Sequence, residues 1–164
     1  MKLILLFILG FNTMVYGTFD RNDTTGIVSD SITTLEWQDN YDDNSAEVKS
    51  VTSWSEAITY CHDLNLSNIK GVVWRLPNIN ELLSLVDDSN ANGIDTVFTL
   101  HKFDKYWTST TSFNVTTTAL YNDFSLTAHS LELVKNQDDG ATTAYVRCVR
   151  TGRAGRAGPD GDNN

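Results

Sequence analysis

Five short words stand in a fixed order along this chain. They are Leu35-Glu36-Trp37-Gln38; Thr52-Ser53-Trp54-Ser55-Glu56-Ala57, leading to Cys61; Trp74-Arg75-Leu76-Pro77, leading to Glu81-Leu82; Tyr106-Trp107-Thr108-Ser109-Thr110; and Tyr145-Val146-Arg147-Cys148-Val149-Arg150. The words and their leads hold all 4 tryptophans and both cysteines. A large aromatic supplies much of a small core's burial, so the tryptophans are expected inside rather than on the surface.

Local patterning places these words on elements. Ser53 and Glu56 have capping-box spacing, and Trp54, Ala57, Ile58, Cys61 and Leu64 recur on one helical face behind them. This predicts a helix ending near Asn65, with Cys61 on its buried side. Val72 to Leu76 is expected to be extended, because Pro77 disfavours helix at the residue before it. Asn78 and Glu81 then cap a second helix whose stripe is Ile79, Leu82, Leu83 and Val86. Before the first helix, Gly26 to Asp30 and Thr33 to Gln38 read as strands, with Leu35 and Trp37 on one face. After the second, β-branched and aromatic residues mark strands at 106–110, 120–124, 130–134 and 145–149. Helices followed by antiparallel strands make an α+β domain.

The ends differ from the middle. Lys2 followed by the apolar run Leu3 to Leu9 reads as a signal peptide over residues 1–17, too short and wrongly flanked for a membrane anchor. Its removal takes away only Lys2, leaving 11 basic against 21 acidic residues and moving the net charge from −9 to −10. Such a surface disfavours nucleic acid, and it disfavours anionic lipid and sulfated glycans unless basic residues cluster. In an exported chain the two cysteines are most simply one disulfide, with two free buried thiols as the alternative. Residues 18–151 are expected to form one domain. Residues 152–164 hold four glycines at a period of three, the collagen rule, but with one proline. They read as a short collagen-like or flexible tail, through which a homotrimer could assemble.

The order of the five words resembles the Lcl C-terminal domain, the domain of the Legionella collagen-like adhesin, over roughly residues 26–150. The resemblance implies a C-type-lectin-like fold, with two helices packed on antiparallel sheets. It implies a surface-binding role, and a bond from a cysteine on the first helix to one on the last strand, here Cys61 and Cys148. In the named adhesin the collagen repeat precedes the domain, whereas here the triplets follow it. Sulfated glycosaminoglycans are associated with that adhesin. In this chain Arg147 and Arg150, close to Arg153 and Arg156, are the one cluster that could serve them.

No nucleophile elbow, phosphate loop or His-Glu-x-x-His spacing is present in the sequence, so the chain reads as a non-catalytic binding protein. No cofactor is required. Asp88, Asn90, Asn92 and Asp95 alternate around Gly93 like the front half of a Ca²⁺ loop, though Thr99 stands where the closing Glu would be. Asp87 and Asp88 are read as ending the second helix, where the dipole disfavours anions and a Ca²⁺ ion would relieve them. Ligand contact is expected from the loops 111–118 and 136–142, and from Phe113, Tyr121, Asp138 and Asp139 in particular, with Tyr41 as a further exposed aromatic. The partner is expected to be a glycan or a cell-surface protein, met by a secreted, surface or periplasmic chain. The alternative is a structural or oligomerising head for a fibrous tail.

Overall fold

A computed structural model describes residues 18–41, 48–64, 73–87, 89–91, 93–125, 131–135 and 143–152. Its elements are β1 (Phe19–Asn22), β2 (Ile27–Asp30), β3 (Leu35–Gln38), β4 (Ser50–Val51), α1 (Trp54–Asp63) and α2 (Ile79–Leu83). They continue with β5 (Lys105–Thr111), β6 (Thr118–Asp123), β7 (Leu131–Val134), β8 (Ala144–Tyr145) and β9 (Val149–Thr151). The chain is α+β, as its patterning predicts. The order differs, because four strands precede α1, and the last strand returns to the first three. One sheet runs β1-β2-β3-β9 and the other β4-β8-β5-β6-β7. Pairing is antiparallel except between β5 and β8.

Both helices start where their caps predict. Ser53 accepts from the Glu56 N–H, and the Glu56 carboxylate accepts from the Ser53 N–H; Asn78 and Glu81 repeat the arrangement. The buried stripe of α1 is narrower than its sequence suggests. Ala57, Cys61 and Leu64 are buried, but Trp54 is half-buried and Ile58 is 36% exposed. Placed about 100° round the helix from Ala57, Ile58 faces solvent. α2 stops at Leu83, so Asp87 lies beyond the helix, and the unfavourable helix-end charge expected there does not arise.

Strand alternation divides the interior into two clusters. Trp107 on β5 faces one, with Ala57, Cys61, Trp74, Leu76 and Val146. Its neighbour Tyr106 faces the other, with Val28, Trp37, Leu82, Ile94, Phe98 and Val149. Trp37, Trp74 and Trp107 are buried, as expected.

The predicted strand over 145–149 is broken. β8 ends at Tyr145, β9 begins at Val149, and the residues between pass from one sheet to the other. Val146 N–H donates to the Lys49 carbonyl at 2.8 Å, and the Cys148 carbonyl accepts from Gln38 N–H at 2.9 Å. Val149 also exchanges two backbone hydrogen bonds with Arg75, each 2.9 Å. The crossing segment is pinned by the Cys61–Cys148 disulfide, whose Cα atoms are 5.4 Å apart across a separation of 87 residues. This is the pairing the resemblance implies.

Closing a loop of that length contributes roughly 4–5 kcal/mol in the chain-entropy view, an upper figure. A Cys61→Ala/Cys148→Ala variant should therefore show a urea midpoint far below that of the oxidised protein. An unchanged midpoint would mean that the hydrogen bonds around Gln38 and Arg75 hold the crossing segment alone.

Candidate functional site

The most strongly bound polar side chain described in this protein belongs to Asp39, just past β3. Its carboxylate is fully buried. Oδ2 accepts from Arg21 Nε at 3.0 Å, Thr99 N–H at 2.8 Å and Thr99 Oγ1 at 2.9 Å; Oδ1 accepts from Leu100 N–H at 3.1 Å and Arg147 Nη1 at 3.1 Å. Arg147, also fully buried, donates in addition to the Gln38 carbonyl at 2.8 Å and to the Leu100 carbonyl. Its guanidinium carbon lies 4.6 Å from the Phe98 ring centroid. Burial by itself would lower the Arg147 pKa, but Tyr41, Tyr106 and Asp39 outweigh it and hold the guanidinium charged. Burial raises the Tyr41 pKa well above its usual range.

This centre corrects the expectation of a basic surface cluster. Arg147 is interior. Arg150 is also buried, paired with Glu36, with its guanidinium carbon 4.6 Å over Trp74. Tyr41 and Tyr121 likewise turn inward. Tyr41 donates to the Val146 carbonyl at 3.2 Å, and Tyr121 lies opposite Trp107 in the β5–β6 ladder, inside the core. Sequence reading missed Asp39 and placed Arg147 on the surface, although its apolar neighbours Val146 and Cys148, both buried, carried a signal: a charge embedded in apolar company needs an interior partner.

Phe113 is where it was expected, on the surface and 98% exposed. It sits at the tip of the β5–β6 hairpin, and the tip is tied down. Ser112 N–H donates to the Thr118 carbonyl at 3.0 Å, and Thr118 N–H to the Val115 carbonyl at 2.9 Å. Thr118 Oγ1 adds a bond to the Val115 carbonyl at 2.8 Å. From β7's end, Lys135 Nζ reaches Thr111 Oγ1 at 2.8 Å and the Thr116 carbonyl at 3.0 Å. The same ammonium lies 4.2 Å above the Trp54 ring, whose indole N–H donates to the Thr108 carbonyl at 2.7 Å. Just below, the β5–β6 register shifts between Trp107 and Thr111, and pairing resumes at Thr111 with Ala119. An apolar plate thus stands on a rigid turn rimmed by Thr111, Asn114, Thr116 and Thr117, all exposed, with Val115 43% exposed beside it.

The acidic loop is partly in view. Asp87 Oδ1 accepts from Ser89 N–H and Oγ, and Asp95 Oδ1 from Val97 N–H at 2.9 Å. Asp87 N–H donates to the Gly93 carbonyl and Gly93 N–H to that of Asn90, closing the turn with Gly93 at φ +67°. Asp88 and Asn92 lie outside the described residues, as do Asp138 and Asp139, the signal-peptide segment and residues 153–164. Among the described residues, no group of three or more His, Cys, Asp or Glu could hold a metal ion, and no helix is long and apolar enough to cross a membrane.

Comparison with known proteins adds one finding. The family model described as the Lcl C-terminal domain matches residues 26–150. No curated protein and no solved structure matches.

The buried centre makes a quantitative statement. Removing one member of a buried ion pair strands the other's charge and costs about 3–5 kcal/mol, whereas removing both costs less. Arg147→Met is therefore expected to lower unfolding free energy by that amount, and Asp39→Asn/Arg147→Met to recover part of it in a denaturant titration. A single variant as stable as the parent would show that Asp39 is satisfied by Arg21 and the Thr99–Leu100 backbone alone.

Proposed function

The chain belongs to the Lcl C-terminal domain family, and on that premise we propose that it is an exported, non-catalytic binding domain. It works at a cell surface or in a periplasm and holds a neutral glycan or a protein surface through the β5–β6 hairpin tip. The observation that carries this reading is Phe113, 98% exposed on a turn held by five hydrogen bonds. Exposing a phenylalanine gains nothing for folding, and a rigid aromatic is an inexpensive anchor for a sugar face or a partner's pocket. Among the described residues the rim offers hydroxyls and an amide without a carboxylate, and the neighbouring Lys135 is already spent on Thr111, Thr116 and Trp54.

A C-type-lectin-like architecture fits this role. Support comes from the disulfide that ties the first helix to the segment entering the last strand, and from β9 pairing with β3, which joins the two ends of the matched region. The disulfide also agrees with an oxidising compartment. No cofactor is needed for such binding; a Ca²⁺ ion held by Asp88, Asn90, Asn92 and Asp95 is the one this reading admits.

Phe113→Ala should leave unfolding free energy within about 0.5 kcal/mol of the parent, as surface substitutions do. Binding to an array of immobilised neutral glycans, or adhesion to target cells, should fall about tenfold or more. Undiminished binding would remove the hairpin from the site.

With Arg147 and Arg150 committed to interior partners, heparin affinity should be weak at about 0.15 M salt and should vanish on deletion of residues 152–164. Firm retention by the truncated protein would reveal a basic patch built from other residues and restore the glycosaminoglycan reading.

A further inference from the structure

A second surface feature lies beside the first turns of α1. It is a cleft of about 520 Å³ between β4 and α1, lined by Lys49, Ser50, Val51, Thr52, Ser55, Glu56, Thr59 and Tyr60. That volume is within the roughly 300–1,000 Å³ of small-ligand sites. We propose that this cleft is a saccharide-binding site, distinct from the Phe113 tip, that takes one or two units of a neutral sugar chain.

The chemistry of the lining selects the ligand class. Four side chains are aliphatic alcohols and a fifth is a phenol. Ser50 and Thr59 are exposed at the cleft's rim, and an apolar ligand covering them would strip their water and return no hydrogen bonds, at a cost for each. A phosphate or carboxylate would find a single lysine and would also face Glu56. A cation would find one Glu56 oxygen already engaged, leaving a single carboxylate oxygen and no second acidic ligand in the lining: Oε2 accepts from Thr52 N–H at 3.1 Å, Thr52 Oγ1 at 3.1 Å and Ser53 N–H at 3.2 Å. The backbone bond from Thr52 and its companions hold the Glu56 pKa below its ordinary value, so that carboxylate is an anionic acceptor at neutral pH. What remains complementary is a neutral polyol, able both to donate and to accept.

The cleft is also built rigidly enough to bind. Tyr60 packs against both core clusters, and its hydroxyl accepts from Gln38 Nε2 at 2.8 Å. Gln38 Oε1 in turn accepts from Cys148 N–H at 3.1 Å, one residue on from Arg147. The aromatic wall is therefore anchored to the disulfide-bearing segment, and the opposite wall is β4, held to β8. Val51 is buried, while Ser50 and Thr59 are exposed at the rim. A fixed aromatic side chain with hydroxyls around it suits a pyranose, with its apolar face and equatorial hydroxyls.

The test is a ¹⁵N-correlated NMR titration of the protein purified after export. The probes are maltotriose, cellotriose and triacetylchitotriose, with a heparin-derived hexasaccharide as the anionic comparison. At least one neutral trisaccharide should shift the amides of residues 49–60 saturably. Thr59→Leu, an exposed helix position that narrows the cleft, should weaken that binding about tenfold or more while the spectrum stays dispersed. Phe113→Ala should leave it unchanged. The proposal is overturned if no neutral trisaccharide shifts these amides, if Thr59→Leu binds as well as the parent, or if the heparin fragment binds there more tightly. Shifts confined to residues 112–117 would overturn the cleft while upholding the hairpin site.

Discussion

The crossing segment from Tyr145 to Val149 depends on one buried carboxylate. Asp39 gathers donors from β1, from the 99–100 turn and from Arg147, groups far apart in sequence. A carboxylate removed from water is tolerated only when its oxygens are met by donors, and here both are. Meeting that condition sets where three segments go. Arg147 must point inward, so the chain cannot continue as one strand from Tyr145 to Val149. The break delivers Cys148 to Cys61 and Val149 to the slot between Trp37 and Arg75. At the turn before β2, Gly26 helps: its N–H donates to the Asn22 carbonyl and its carbonyl accepts from Asp39 N–H. With φ at +63°, and a would-be Cβ 2.4 Å from that of Asn40, no other residue fits.

The five sequence words are one another's partners. Leu35 to Trp37 pairs with Val149 to Thr151, and Trp54 donates to Thr108. Cys61 bonds Cys148, Arg75 exchanges bonds with Val149, and Ser109 N–H donates to the Pro77 carbonyl at 2.7 Å. Such mutual dependence couples the words: changing one leaves a hole, an orphaned donor or a lone thiol in another. It also keeps the surfaces that face solvent separate from the framework. The hairpin tip is tied to this framework by its own turn bonds and by Lys135, and the β4–α1 cleft by Tyr60 and by β4's pairing with β8, so their rims can vary without disturbing the core.

Much of the local structure was legible along the chain. Both capping boxes rest on contacts within a few residues, and the extended segment before Pro77, the alternation in β3 and the positions of β5 to β7 are marked by local residue patterns, so the sequence carries the signal for them. Three buried tryptophans followed from size and apolar character, and Phe113's exposure followed from its polar loop. The cysteine pair was legible through resemblance, and the helical face of Cys61 was consistent with it. The short strands β1 and β4 were not, because each is defined by the partner it pairs with rather than by its own composition.

What only the tertiary structure decided is which charged and aromatic side chains go inside. Arg147, Arg150, Tyr41 and Tyr121 carry polar atoms that are as much at home in water as in a protein; burial is favourable only if specific partners stand within hydrogen-bonding reach. For Arg147, Arg150 and Tyr41 those partners, Asp39, Glu36 and the Val146 carbonyl, are distant in sequence and converge only when the sheets assemble. Apolar burial is non-directional and is set by each residue's own surface, so it can be read one residue at a time. Polar burial is a property of pairs and networks, and a linear sequence does not show which pairs will meet.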